Sequence, residues 1–174
     1  MADHSPAVVI PTQIHLKHGL FRAICHWPFA DSFVGRLLRY DIPQRIKLGN
    51  GRMWAYLDAA HEVIGFGSID VCSDYSDLTG GKPHPYIPLL AVNPESEGRG
   101  YGKAIVRHLI GEAALLAVQP GNPCHDVLFL DVYTTSVRAI GLYEKCGFLK
   151  LRDQPLFDDI EQQTYFIMSQ RILP

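Results

Sequence analysis

Hydrophobic positions change their spacing several times along the chain, and each change marks an element. Residues 20–26, 53–58 and 63–72 are apolar stretches of strand length, the last two joined by a turn at Ala59, Ala60, His61 and Glu62, which predicts a hairpin. Phe33, Val34, Leu37 and Leu38 repeat at helical spacing with Arg36 and Arg39 outside them; Asp31 or Ser32 can cap that helix and Pro43 ends it. Residues 73–85 are polar and rich in Gly, Pro and Asp, the composition of a long surface loop. An apolar run through Leu89, Leu90, Ala91 and Val92 then breaks at Pro94, passes three alternating glycines and becomes helical to about Val118. The helix has a broad apolar face of Tyr101, Ile105, Leu109 and Leu116, widened by Val106, Ile110, Ala113 and Ala117, which predicts burial against a sheet. Pro120 to Pro123 stop it. Residues 127–132 read as an interior strand, Ser136 as the cap of a helix over 137–146, Gly147 as its end, and 148–152 and 164–171 as closing strands.

That order, hairpin strands followed by two strand-loop-helix crossovers, predicts an α/β class with a twisted mixed sheet containing parallel and antiparallel pairs. A chain of 174 residues suits one well-buried core, so a single domain over 1–174 is expected, with about 1–18 as an arm or edge strand. A net charge of −2 argues against nucleic acid or an anionic membrane as the main partner. The first residues lack the basic start and apolar core of a signal peptide, and no run reaches the ~20 apolar residues of a membrane span, so a cytoplasmic protein is expected. Cys25, Cys72, Cys124 and Cys146 stand singly, and His4, His15 and His18 are loosely spaced; the thiols read as core residues and no metal is expected. Trp27, Pro28 and Phe29 read first as a packed core corner and second as the lining of an acceptor pocket.

The glycines carry the first candidate chemistry. Without a Cβ, Gly98, Gly100 and Gly102 let the backbone curl with N–H groups pointing inward, at the positive end of the following helix, where an anion can sit. Two familiar phosphate loops do not match. The triphosphate loop needs Ser or Thr where Ala104 stands and Gly where Glu97 stands, and the dinucleotide pattern meets Lys103 or Ile105 at its third glycine.

The stretch Glu97-Gly98-Arg99-Gly100-Tyr101-Gly102 resembles instead the acetyl-CoA loop of the GCN5-related N-acetyltransferases, the GNAT family, which reads Gln/Arg-x-x-Gly-x-Gly/Ala. Downstream, Ser136-Val137-Arg138-Ala139-Ile140-Gly141-Leu142-Tyr143-Glu144-Lys145-Cys146-Gly147-Phe148 is similar to the family's second signature, N-x-x-A-x-x-L-Y-x-x-x-G-F. The resemblance implies a GNAT acyl-CoA N-acyltransferase fold, a splayed sheet of about six to seven strands flanked by helices, with acetyl-CoA entering between the strand ending at Val92 and that at 127–132. It implies an enzyme that transfers the acetyl group to a primary amine of a small molecule or protein by direct attack in a ternary complex, and a homodimer is among the expected assemblies. A non-catalytic acyl-CoA-binding or sensory module on the same fold is the alternative.

By the same resemblance, backbone N–H groups of Gly98, Arg99, Gly100, Tyr101, Gly102 and Lys103 hold the pyrophosphate, and Leu90, Ala91 and Val92 pair with pantetheine. Glu97 replaces the family's Gln or Arg and puts a carboxylate beside phosphates, with Arg99 and Lys103 as compensation. Ser136 replaces its Asn, near Arg138. Tyr143 matches the general acid, and a phenol is protonated at neutral pH, as that role requires; the plainer reading is a core tyrosine. For the base, the family often has Glu or His at the positions of Tyr86 and Pro88, and neither is present. His84, Glu95 through a water, Asp70 and solvent are the candidates; His84 has the most suitable imidazole, though a lone histidine in a loop also reads as a surface residue. Asp153, Asp158, Asp159 and Glu161 would draw a cationic amine, or simply form a solvated acidic loop.

Overall fold

A computed structural model describes residues 8–15, 41–73, 75, 77–120 and 124–173. The strand expected over 20–26, the helix carrying Phe33 to Leu38 and the Trp27-Pro28-Phe29 cluster lie outside these residues, as do His4, His18 and Cys25. The fold divides into two compact units, Met1–Ser68 with Leu89–His108, and Ile69–Pro88 with Leu109–Pro174.

In the first unit, β1 (Ile10–Gln13) lies antiparallel on β2 (Gly51–Leu57) with Ile10 opposite Leu57 and Gln13 opposite Trp54. Its alternating half-buried and exposed positions are those of an edge strand. Met53, Ala55 and Tyr56 of β2 are fully enclosed, as is Phe66 of β3 (Val63–Cys72). The expected hairpin turn forms because the Asp58 carboxylate accepts the backbone N–H groups of Ala60 at 2.9 Å and Glu62 at 3.0 Å, while His61 takes a left-handed φ of +62°. Pro43, expected to end a helix, instead lies in the first turn of one, α1 (Ile42–Lys47). A proline is tolerated there because the N–H it lacks has no partner within the helix. The unit also takes the C-terminal part of β4 (His84–Val92), whose neighbour Asn93 donates its N–H to the Ile64 carbonyl at 2.8 Å, and the start of α2 (Tyr101–Ala117).

Gly65 of β3 sits at a close approach to β4 and α2. A Cβ built on it would lie 2.7 Å from the Ala91 carbonyl oxygen and 2.7 Å from the Ile105 side chain. A backbone carbonyl in a strand has no cheap way to move, so Gly65→Ala is expected to destabilise the fold by about 1–3 kcal/mol, the usual range for overpacking. For a chain of this length that lowers Tm by roughly 2–4 °C per kcal/mol. Thermal unfolding followed by circular dichroism checks it; an unchanged Tm would mean that β3 and β4 do not approach this closely.

In the second unit, β5 (Val127–Tyr133) runs antiparallel to β8 (Gln163–Arg171) from Val127 opposite Arg171 to Tyr133 opposite Tyr165. On its other side β5 is parallel to β4, with Tyr86 opposite Phe129 and Ile87 opposite Leu130, so the sheet is mixed as predicted. The next residue of β4, Pro88, has no N–H to continue the ladder. Two short strands, β6 (Leu149–Lys150) and β7 (Leu156–Asp158), both pair with β8 and bring the count among the described residues to eight. Leu109, Ala113 and Leu116 of α2, Leu128 and Leu130 of β5, Phe148, Met168 and the helix α3 (Val137–Lys145) supply the core. The loop expected over 73–85 is shorter. Thr79 is buried, its hydroxyl donating to the Lys82 carbonyl at 2.6 Å, and β4 begins at His84. Among the described residues no helix is long and apolar enough to cross a membrane.

Candidate active site

The glycine loop lies in the first unit. Asn93 accepts the Glu95 N–H through its side chain at 3.0 Å and starts a single 3₁₀ turn, Pro94–Ser96, after which Gly98 and Gly100 adopt φ values of +76° and +85°. These are left-handed conformations that favour glycine, and a Cβ on Gly98 would meet nothing within 4 Å, so the loop surface is open. The helical ladder of α2 opens with the Ala104 N–H donating to the Gly100 carbonyl at 3.2 Å. The N–H groups of Tyr101, Gly102 and Lys103 therefore lie ahead of the ladder, at the positive end of a seventeen-residue helix. Glu97, Arg99 and Lys103 are exposed. Leu90, Ala91 and Val92 are half-buried at the end of β4. Such N–H groups, without partners in the helical ladder, are of the kind that can hold an anion.

Tyr143, Ser136 and Arg138 belong to the second unit. Ser136 precedes α3 as expected, but its side chain makes no cap hydrogen bond; its backbone N–H donates to the Tyr133 carbonyl at 2.9 Å instead. Arg138 is exposed. Tyr143 is buried in the helix, edge-on to Phe148 with ring centroids 5.8 Å apart. Burial, with a smaller contribution from the nearby Cys146 thiol, pushes its phenol up to about 12, so the hydroxyl carries its proton at neutral pH. α3 ends where Gly147 reaches φ +98°.

His84 is not a surface histidine. It is fully enclosed at the start of β4, stacked on Tyr75 (centroids 5.5 Å apart) and edge-on to Phe129 (4.7 Å), with Nε2 3.3 Å from the Cys72 thiol. Asp70 is buried too, Cys124 is buried, and Cys72 and Cys146 are half-buried. Tyr86, two residues on, donates its hydroxyl to Asp131 Oδ2 at 3.0 Å, and Tyr75 donates to Oδ1 of the same carboxylate at 2.5 Å. Burial first, and then the charge of Asp131, hold the Tyr86 phenol well above its usual range. Neither Asp131 nor Tyr75 belongs to a motif that spacing along the chain singles out. One signal pointed to Asp131, a charged residue in the middle of an otherwise apolar interior strand.

Of the acidic residues beyond it, Asp158 has a structural task. Its Oδ1 accepts the N–H groups of Ile160 at 2.9 Å and Glu161 at 3.1 Å, and Oδ2 lies 3.5 Å from the Tyr133 hydroxyl. Asp153, Asp159 and Glu95 are exposed and Glu161 is half-buried. Among the described residues no group of three His, Cys, Asp or Glu side chains is placed to hold a metal ion.

A mixed sheet with a glycine-lined turn leading into a long helix is the arrangement that the resemblance to acetyltransferases implies. The family model described as Acetyltransferase (GNAT) family matches residues 20–148, and the chain belongs to that family. Solved structures similar to it include a spermidine N-acetyltransferase SpeG chimera from Vibrio cholerae and hSSAT, 15% identical, covering 94% of this chain and 96% of that one with a TM-score of 0.66. Arabidopsis thaliana NAA60 in complex with a bisubstrate analogue is 19% identical, covering 94% and 97% with a TM-score of 0.66. Spermidine N-acetyltransferase from Vibrio cholerae in complex with CoA and spermine is 16% identical, covering 95% and 98% at 0.65. No curated protein matches the chain.

Proposed function

We propose that this protein transfers the acetyl group of acetyl-CoA to a primary amine, by direct attack of the amine on the thioester while both substrates are bound. The observation that carries this reading is the pair of left-handed glycines, Gly98 and Gly100, ahead of α2, which makes the loop an anion cradle of the kind its family uses for the donor. Backbone N–H groups from Gly98 to Lys103 hold the pyrophosphate and Leu90 to Val92 align the pantetheine arm. When bound, acetyl-CoA supplies the activated acyl group. The amine gives up its proton to solvent as it attacks and the C–N bond forms, while Tyr143, which holds a proton on its hydroxyl, delivers it to the departing thiolate as the C–S bond breaks. The Asp131 carboxylate on the Tyr86 hydroxyl puts an acidic group beside the position where the family often has Glu or His, which supports the enzyme reading. An acetylation screen over amines, amino acids and peptides, read by thiol release, tests the reading; tight CoA binding with no turnover on any acceptor would overturn it.

Glu97 tunes the donor site. Its carboxylate adds one negative charge to a loop that meets phosphates, in a solvent-exposed position where screening is strong. Glu97→Gln is therefore expected to tighten acetyl-CoA binding by roughly fivefold or less. Isothermal calorimetry checks it, and weaker binding by the variant would show that the carboxylate has a positive task in shaping the loop.

A further inference from the structure

Asp131 is out of place for its strand. β5 is hydrogen-bonded to β4 on one side and β8 on the other, and its neighbours Leu130 and Val132 are buried, as interior strand residues should be. Asp131 is exposed. The face of β5 bearing Phe129, Asp131 and Tyr133 is thus open to solvent at the carboxylate, in the middle of the sheet. Around it stand aromatic rings: Tyr75 lies 5.2 Å from Phe129 and 6.3 Å from Tyr86, and His84 closes the cluster from behind. Burial first, and then the charges of Asp131 and Asp158, push the phenol of Tyr165 on β8 up. Tyr75 donates to one oxygen of Asp131 and Tyr86 to the other, so the carboxylate is fixed in orientation as well as in place.

We propose that Asp131, clamped by the hydroxyls of Tyr75 and Tyr86, is the residue that binds the ammonium group of the acceptor, and that the acceptor is a primary alkylammonium without a carboxylate of its own beside the amine. This rests on the acetyl-transfer reading for its meaning in turnover, but the binding site stands on its own geometry. A fixed carboxylate attracts the cation, the surrounding ring faces favour it further, and the same negative charge repels acidic acceptors. His84, with no exposed surface, is a positioning residue that packs against Tyr75 and keeps its hydroxyl on the carboxylate.

The probe is n-butylammonium, with n-butanol as its uncharged counterpart, titrated at neutral pH into the full chain and followed by tyrosine ultraviolet difference absorption, which reports Tyr75 and Tyr86. A saturable change is expected with butylammonium and none with butanol. Asp131→Asn should weaken it by ~10-fold or more, as loss of a charge-assisted hydrogen bond does. Glu144→Gln, which removes one negative charge from the surface of α3, should leave it unchanged. No saturable signal in the wild-type protein, equal response to butanol, or equal affinity in a folded Asp131→Asn overturns the proposal. The wild-type comparison of amine with alcohol decides the matter even if the variant does not fold. Selective butylammonium binding in a protein that acetylates no amine would leave this site standing and sink the acetyl-transfer reading. Acetylation of alkylamines with an unchanged KM in Asp131→Asn would do the reverse.

Discussion

Gly100→Glu is expected to abolish measurable acetyl-CoA binding while leaving the protein folded. Three effects add at this position. The backbone there has φ +85°, a region that costs a residue with a Cβ about 1–2 kcal/mol. The side chain would stand in the loop proposed to hold the pyrophosphate, and its charge would repel the phosphates. At a separation of about 4 Å two like charges repel by ~1 kcal/mol in water and ~4 kcal/mol in a partly desolvated site, so the charge alone weakens binding by ~5-fold to ~10³-fold, and the occupied volume adds to it. Gly100→Ala separates the contributions, because it keeps the strain and part of the volume without the charge, and should bind more weakly than wild type but far better than Glu. The position is exposed, so the strain should lower Tm by only a few degrees. Calorimetry on the folded variants checks the series, and unchanged affinity in Gly100→Glu would remove the donor assignment altogether.

The second large effect is on the chemical step. Tyr143→Phe keeps the ring and its edge contact with Phe148 and removes one hydroxyl. A general acid acts only as charge develops on the leaving sulfur, so kcat should fall with acetyl-CoA affinity nearly unchanged. General acid catalysis contributes ~10²- to 10⁴-fold, and a thiolate is a tolerable leaving group, so a fall of about 10²-fold is expected. With its phenol at about 12, Tyr143 stays protonated up to roughly pH 10, and the wild-type rate should show no alkaline fall from this group below that. The stability consequence has a definite sign. The folded value lies above the ordinary tyrosine value of about 10, so the stabilisation is fully present below pH 10 and is lost as pH rises toward 12. Tyr143→Phe should lack that alkaline loss in a pH series of unfolding curves. Wild-type turnover by the variant would make Tyr143 a packing residue.

Much of the fold was legible because its signals are local. The interval from Leu89 to Gly102, apolar run, proline break and alternating glycines, predicts a strand, a turn and a helix start from neighbouring residues alone, and β4, the left-handed Gly98 and Gly100 and α2 follow that order. The Asp58 turn, the apolar face of α2 and the stop at Gly147 were readable for the same reason: each is a matter of spacing within a few residues. Where a local signal has two meanings the sequence could not choose. Pro43 both terminates helices and begins them, and Ser136 has the capping hydroxyl without making the bond. The clamp around Asp131 was decided by the tertiary structure. The hydroxyls of Tyr86 and Tyr75 reach Asp131 across 45 and 56 positions of chain, a meeting set by the parallel register of β4 on β5 and by the fold of the loop before His84. No periodicity encodes that contact, nor the enclosure of His84 among Tyr75 and Phe129, because both depend on which strands become neighbours rather than on what any one strand contains.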